Sequence, residues 1–388
     1  MKILKSIAPR IYRILFRLGS LLPKKEKMII FESFLGKQYS DNPKALYDYI
    51  KSNYPDYELY WSLNKEAIQL FRHENIKFIR RLSFKWIISM ARARYWVTNT
   101  RLPLWLPKPK NTIYLQTWHG TPLKKLGVDI EAVRMPGTST ENYKRNFIAD
   151  SKKWDYLISP NEYSTRIFKR AFQVQCQIIE SGYPRNDVLI NQKNKKKELL
   201  EKLKLPSDKK IILYAPTWRD NQYYTQGKYK FNLELDLDTL NKELGDNYII
   251  LIRAHYLIAD QIDTDKYNGF VFDFSSYNEI GDLYLVSDML ITDYSSVFFD
   301  YANLRRPILF FVYDLQEYRE EIRGFYFDLE KHAPGPLILT NEQLIKEINS
   351  INLEEFVPND KYESFVNTFC SLEDGQAVER VAKVLFDC

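Results

Sequence analysis

Cysteine and histidine are scarce in this chain. Its three cysteines, Cys176, Cys370 and Cys388, are odd in number and scattered over 388 residues. That argues against a disulfide framework and fits a reducing compartment. The four histidines, His73, His119, His255 and His332, fall at no CxxC or HxxxH spacing, so a histidine-rich zinc site is not expected. No run of about 20 apolar residues occurs, which excludes a membrane-spanning helix. The apolar residues at the N-terminus are interleaved with bases, unlike the uninterrupted core of a signal peptide. GxGxxG and GxxxxGK[ST] are both missing, which disfavours a dinucleotide oxidoreductase or a P-loop kinase. The DxD pair Asp236 and Asp238 lies in a Leu-rich segment that reads as exposed and non-catalytic, and no metal is expected.

What is present is the composition of a globular protein, 45% hydrophobic and 27% charged. The length suggests two domains. Aromatic residues are plentiful, with 28 Tyr, 23 Phe and 7 Trp, and supply large core area and amphipathic rings. A net charge of +6 permits an anionic partner without selecting one, and no nucleic acid is expected.

The first 22 residues place Ile3, Leu4, Ile7, Ile11, Ile14, Leu15, Leu18 and Leu22 at helical spacing, with Lys2, Lys5, Arg10, Arg13 and Arg17 around them and no acid. Such a helix can lie in an anionic membrane surface, and membrane contact is the reading adopted here. The alternative is a helix packed on the protein body with its bases in water.

From Lys27 onward the pattern is strand, loop, helix, repeated. Strands are predicted at Met28–Phe31, Glu58–Leu63, Lys77–Ile79, Tyr95–Thr98, Tyr156–Ser159 and Gln177–Ser181, with helices over Pro43–Ile50, Lys65–His73 and Phe84–Ala93 among them. The polar stretch NQKNKKK at 191–197 reads as a linker, and the alternation then resumes with strands Lys210–Tyr214, Tyr248–Ile252 and Met289–Thr292. This is the signature of doubly wound parallel sheets, whose ligands sit at the carboxyl ends of the strands. The expected domains are a membrane-contact helix (1–24), a Rossmann-like domain (25–190), a linker with a first helix (191–208), a second Rossmann-like domain (209–370) and a C-terminal helix (371–388) packing back across them.

Reactive groups gather at strand ends. LQTWHGTPLKK at 115–125 puts His119 beside Gly120 on a loop, with Thr121 next and the bases Lys124 and Lys125 one turn on. Lys37, on the loop after the first strand, falls on the same edge. In the second half three polar tips follow apolar strands: Thr217 with Arg219, Arg253 with His255, and Asp293 with Ser295 and Ser296. The serines open a predicted helix over Val297–Leu304, so hydroxyls and free N–H groups form a phosphate cradle that arginines could neutralise. Each tip alone could be a cap or a surface ion pair; three in one sheet point to a shared anion site. Arg323 and Gly324 sit on a late loop, and His73 and His332 read as packing or loop residues.

The segments FESFLGKQYSDNPKALYDY, LQTWHGTPLKKLG, SGYPRND, YAPTWRD, RAHY, ITDYSSVFFDY, RGFYFDL and SLEDGQA, in this order, resemble the CDP-glycerol glycerophosphotransferase family of Gram-positive wall teichoic acid synthesis. The likeness runs from about Lys27 to Cys388 and is greatest to the short members that extend the glycerol phosphate linkage unit. It implies a GT-B fold with two Rossmann-like domains across a cleft, the acceptor on the first and CDP-glycerol on the second, and a peripheral protein on the cytoplasmic membrane face. It makes His119 the general base and His255 a second catalytic histidine at the donor diphosphate. Thr217, Arg219, Arg253, Asp293, Ser295, Ser296, Arg323 and Gly324 become donor-binding residues, while Lys37, Gly120, Thr121 and Lys124 serve the acceptor or its phosphates. Leu35 departs from the polar residue found there in some relatives.

The implied partners are CDP-glycerol, an undecaprenyl-diphosphate-linked teichoic acid precursor and the anionic membrane. The implied reaction moves glycerol phosphate to a terminal acceptor hydroxyl and releases CMP, with limited addition expected. The alternatives are a CDP-ribitol or nucleotide-sugar donor, a polymerase adding many units, or a non-enzymatic membrane adaptor.

Overall fold

The computed structural model describes residues 2–133, 138–217, 223–225, 228–229, 233–254, 264–318 and 324–386, with side chains from residue 9 onward outside 223–229. The chain forms two compact units: residues 1–119, 144–187 and 372–388 make the first, and 120–143 with 188–371 the second.

Seven strands form the sheet of the first unit: β1 (Lys25–Glu32), β2 (Glu58–Leu63), β3 (Phe78–Arg80), β4 (Ala93–Thr98), β5 (Ile113–Gln116), β6 (Tyr156–Ser159) and β7 (Gln177–Glu180). All neighbours are parallel, in the order β3-β2-β1-β4-β5-β6-β7. Buried strands of this kind read as continuous apolar runs, as Met28 to Phe31 does. One face packs Phe31, Tyr39, Leu46, Tyr47, Ile50 and Trp61 into a common core. Helix Lys65–Leu70 ends before His73, which stands exposed beyond it beside Glu74.

In the second unit β8 (Lys210–Ala215) precedes a small hairpin of β9 (Tyr223–Thr225) and β10 (Lys228–Tyr229). Then come β11 (Tyr248–Ile252), β12 (Val271–Asp273), β13 (Met289–Thr292), β14 (Ile308–Phe311) and β15 (Leu337–Ile338). The order is β12-β11-β8-β13-β14-β15, again wholly parallel. Both sheets reverse winding beside their first strand, between β1 and β4 and between β8 and β13. Doubly wound sheets hold ligands outside the carboxyl ends at that switch point. The predicted α/β class with two Rossmann-like sheets is what the structure has.

Three elements add detail to the expected pattern. The 191–197 stretch, read as a linker, carries a 3-10 turn at Lys193–Lys195 and starts helix Lys196–Leu203. The helix after DYSS is α-helical only over Val297–Tyr301 and tightens to a 3-10 turn at Ala302–Leu304. The last helix, Ala377–Phe386, begins well after Ser371 and packs on the first unit, its Phe386 ring meeting Tyr54, Tyr57 and Tyr95. Its first N–H groups, those of Ala377 and Val378, donate to the Asp187 carboxylate at 2.9 Å each, which replaces a local cap.

Helix Lys2–Gly19 lies against helix Phe84–Arg92, with Phe16 buried, Tyr12 stacked on Trp105 and Gly19 against Ile88 and Ala91. Ile14 (58% exposed), Leu18 and Leu21 (81%) face water. Among the described residues no helix is long and apolar enough to cross a membrane.

Candidate active site

The switch point of the first unit is built from three strand ends. After β1, Phe34 (φ 46°) and Leu35 (φ 61°) take left-handed backbone that non-glycine residues rarely adopt. The turn is held from the end of β4, where Asn99 Oδ1 accepts the Phe34 N–H at 2.9 Å and Thr100 Oγ1 that of Leu35 at 3.2 Å. After β5, Trp118 is also left-handed (φ 54°), a strain of about 1–3 kcal/mol that persists only where the surroundings impose it. They do so here. Trp118 packs against Phe147, Phe168 and Phe172, its N–H donates to Gln116 Oε1 at 3.0 Å, and its carbonyl accepts from Asn42 Nδ2 at 3.2 Å.

His119 follows on this rigid turn. Its ring stacks on Trp118 at 4.5 Å and meets the edge of Phe34 at 5.8 Å. Nδ1 is 2.6 Å from the carbonyl oxygen of Asn99. A carbonyl only accepts, so Nδ1 carries the hydrogen and Nε2 keeps the lone pair. Burial lowers the imidazole pKa below its ordinary 6.5; the Asn99 carbonyl and Asp41 oppose this, and Arg185 reinforces it. The result is a neutral imidazole near pH 7 with one fixed basic nitrogen.

The charged neighbours form a built pair. Arg185 Nη1 donates to Asp41 Oδ2 at 2.9 Å, both side chains being nearly buried, and the Arg185 N–H donates to Asn42 Oδ1 at 3.1 Å. Asn42 thus bridges the start of helix Asp41–Asn53, the His119 turn and the Pro184–Asn186 turn. Behind it, Glu373 Oε1 accepts from the Tyr183 N–H at 3.0 Å and from Asn186 Nδ2 at 3.1 Å. Lys37 is exposed at the end of the 34–36 turn.

The second unit has its own constellation at its switch point. Asp293, almost fully buried, accepts the Thr217 N–H at 2.8 Å and the Tyr294 N–H at 2.6 Å on the same oxygen, which ties the tip of β8 to DYSS. Ser295 and Ser296 are partly exposed beyond it. A Cβ on Gly120 would stand 2.7 Å from Ser296 Oγ, so any larger residue would have to turn the serine aside. Thr121 is buried next to it. Lys124 and Phe325 form an antiparallel bridge, and the Lys125 N–H donates to the Gly324 carbonyl at 2.9 Å. Lys124 Nζ lies 3.3 Å from the Tyr318 hydroxyl, whose ring stacks on Tyr294 at 4.0 Å. Lys125 is instead paired with Glu131 at 2.6 Å. Arg253, at the end of β11, donates through its backbone N–H to Tyr214 at 2.8 Å and through Nη1 to the Ser275 carbonyl, and burial lowers its pKa.

Thr217, Asp293, Ser296, Gly120, Lys124 and Gly324 are therefore gathered by contacts within one unit, and His119 and Lys37 lie in the other. His255, Arg219 and Arg323 fall outside the described residues. Asp236 and Asp238 are structural: Asp236 caps helix Leu237–Leu244 through the Thr239 N–H, and Asp238 binds Lys266 and Tyr267. His332 ends a short helix against Phe327. Sequence reasoning missed Asn42, Asn99, the Asp41–Arg185 pair and Glu373. Asn99 was findable, because it is the first residue past a strand predicted to end at Thr98.

Residues 14–387 match the model of the CDP-Glycerol:Poly(glycerophosphate) glycerophosphotransferase family. The chain is an enzyme of that family. It is 54% identical over 387 residues to a teichoic acid poly(glycerol phosphate) polymerase of Bacillus subtilis strain 168, covering 99% of this chain and 52% of that one. The chain thus spans about half the length of that relative. To the teichoic acid glycerol-phosphate transferase of Staphylococcus aureus strain NCTC 8325 it is 48% identical, over 96% of this chain and 95% of the other. The wall teichoic acid polymerase TagF superposes with a TM-score of 0.87 at 44% identity, over 99% of this chain and 95% of that one. A histidine-to-asparagine variant of TagF soaked with CDPG gives 0.88 at 43%, with the same coverage.

Proposed function

We propose that this enzyme transfers glycerol phosphate from CDP-glycerol to the terminal hydroxyl of a lipid-linked teichoic acid glycerol-phosphate acceptor and releases CMP. The observation that carries the reading is His119. It is uncharged near neutrality, with Nδ1 occupied by a backbone carbonyl and Nε2 left to take a proton. A primary hydroxyl is a poor nucleophile, and a positioned base supplies about 100- to 10,000-fold as it attacks the β-phosphorus of CDP-glycerol. Negative charge grows on the phosphoryl oxygens and on the departing CMP. Ser295, Ser296, Thr217, Arg219, Arg253 and His255, with Arg323 and Gly324, are assigned to the donor phosphates that carry it. Lys37, Thr121 and Lys124 are assigned to the acceptor phosphate. The reading routes no step through a metal.

Repeated addition is the second reading. The identity is higher to a relative named as a polymerase than to one named as a transferase, which supports many units over the limited addition expected from sequence. The exposed Ile14, Leu18 and Leu21, beside Arg10, Arg13 and Arg17, support peripheral contact with an anionic membrane such as the cytoplasmic leaflet. In place there, the enzyme would meet an undecaprenyl-diphosphate-linked acceptor.

The test is the mass of products made from CDP-glycerol and a short-chain lipid acceptor bearing one glycerol phosphate. A ladder supports polymerisation and a single added unit supports limited transfer. Product from CDP-ribitol alone overturns the donor.

A further inference from the structure

We infer that Asn99 is a positioning residue for the general base: its carbonyl fixes the tautomer of His119, and its side chain holds Phe34 against the imidazole ring. The inference rests on the reading of His119 as that base.

Asn99 stands at the switch point, immediately after β4, and is fully buried. It makes two contacts of opposite kind with the parts of the site that flank the imidazole. Its main-chain carbonyl accepts the Nδ1–H of His119 at 2.6 Å, and its side-chain Oδ1 accepts the N–H of Phe34 at 2.9 Å. Phe34 in turn lays its ring edge against His119. One residue therefore grips the ring through the backbone and the ring's neighbour through the side chain. The Phe34 N–H also decides the amide orientation, because the opposite flip would set two donors against each other.

That orientation leaves Nδ2 buried with no hydrogen-bond partner among the described residues. An unmade bond of this sort is unfavourable to folding. Aspartate would keep the acceptor for Phe34 and remove the orphan donor, but when ionised it would bury a charge at this site. The difference is charge. The charged groups facing His119 are Asp41, which raises its pKa, and Arg185, which lowers it, and these two form an ion pair with each other. A carboxylate at 99 would add an anion that Arg185 does not balance. The imidazole would then hold its proton to higher pH and serve less well as a base.

The experiment compares Asn99→Asp and Asn99→Ala with the wild type, following CMP release from CDP-glycerol with a glycerol-phosphate acceptor across pH 5 to 9. The Asp variant should move the acid limb of kcat/KM upward by about one pH unit. The Ala variant, with Phe34 released, should lose about 10- to 100-fold in kcat while CDP-glycerol affinity stays within about twofold. Nitrogen-15 labelling of the four histidines gives a readout independent of turnover: the Nδ1–H form of His119 should be clear in the wild type and kept in the Ala variant, which retains the carbonyl, while its ring signals broaden with Phe34 released. If Ala fails to fold, Asp, nearly the same shape, still decides.

An unchanged acid limb in the Asp variant together with wild-type kcat and sharp His119 ring signals in the Ala variant, with His119→Ala inactive, would overturn the role of Asn99 and leave the base in place. A His119→Ala enzyme with wild-type turnover would remove the base itself.

Discussion

Gly120 faces Ser296 so closely that a single added methyl would lie 2.7 Å from the serine oxygen. The serine hydroxyl is thereby held against backbone, on a residue that follows His119 directly in the chain. Gly120→Ala must displace Ser296, and we expect the CDP-glycerol KM to rise about tenfold, the loss of roughly one hydrogen bond to a charged group. Ser295→Ala with Ser296→Ala should weaken donor binding at least as much, read by titration calorimetry. Unchanged affinity in both would mean that DYSS serves only to start its short helix.

His119→Ala should lower turnover by about 100-fold or more while leaving donor affinity nearly intact. The pH dependence has a definite sign. The imidazole pKa is lowered in the folded protein, so kcat/KM should hold at pH values just under 6.5 and fall only below that. For stability, the unfolded chain takes up the proton first as pH drops, so this group destabilises the fold progressively below 6.5. Chemical denaturation at pH 7.5 and 5.5 should show a smaller loss for His119→Asn than for wild type. An equal loss would place the acid sensitivity elsewhere.

Asn42→Ala removes both sides of a buried bridge. The Trp118 carbonyl loses a donor and the Arg185 N–H loses an acceptor. A loss of about 1–3 kcal/mol is expected. Because the strained Trp118 turn carries His119, kcat should fall in protein that still folds. A variant with lowered stability and wild-type kcat would show that the turn holds itself.

Asp187→Ala uncaps helix Ala377–Phe386, whose first two N–H groups it receives. The expected cost is about 1–2 kcal/mol by thermal or urea unfolding, with CMP release per folded molecule unchanged. Asp187→Asn, which keeps an acceptor oxygen, should lose less.

The sheets were legible in the sequence because parallel strands buried on both faces must be apolar throughout. Glu58–Leu63, Tyr156–Ser159, Tyr248–Ile252 and Met289–Thr292 fall where the pattern puts them. Helix ends were less so: His73 and Leu70 differ little in local preference, and a turn over 71–73 ends that helix. The loop tips were legible as types and not as partners. LQTWHGTPLKK marks His119 as reactive, yet nothing local says that Asn99, 20 residues earlier, accepts its proton-bearing nitrogen. That fact depends on β4 and β5 pairing in register, with Thr98 opposite Gln116. The same holds for Glu373, which meets Tyr183 across 190 residues of chain.

That long return has a consequence for how the protein is made. The first unit needs residues 372–388, and a ribosome releases those only after every residue of the second unit. Domains ordinarily fold in order of synthesis, the N-terminal one ahead. Here the second unit has its whole sequence first, and Tyr54, Tyr57, Tyr95 and the Tyr183 turn wait uncovered until the final helix arrives. A nascent chain stalled before Leu372 would therefore hold a finished half and an open one, with the unfinished half being the one translated first.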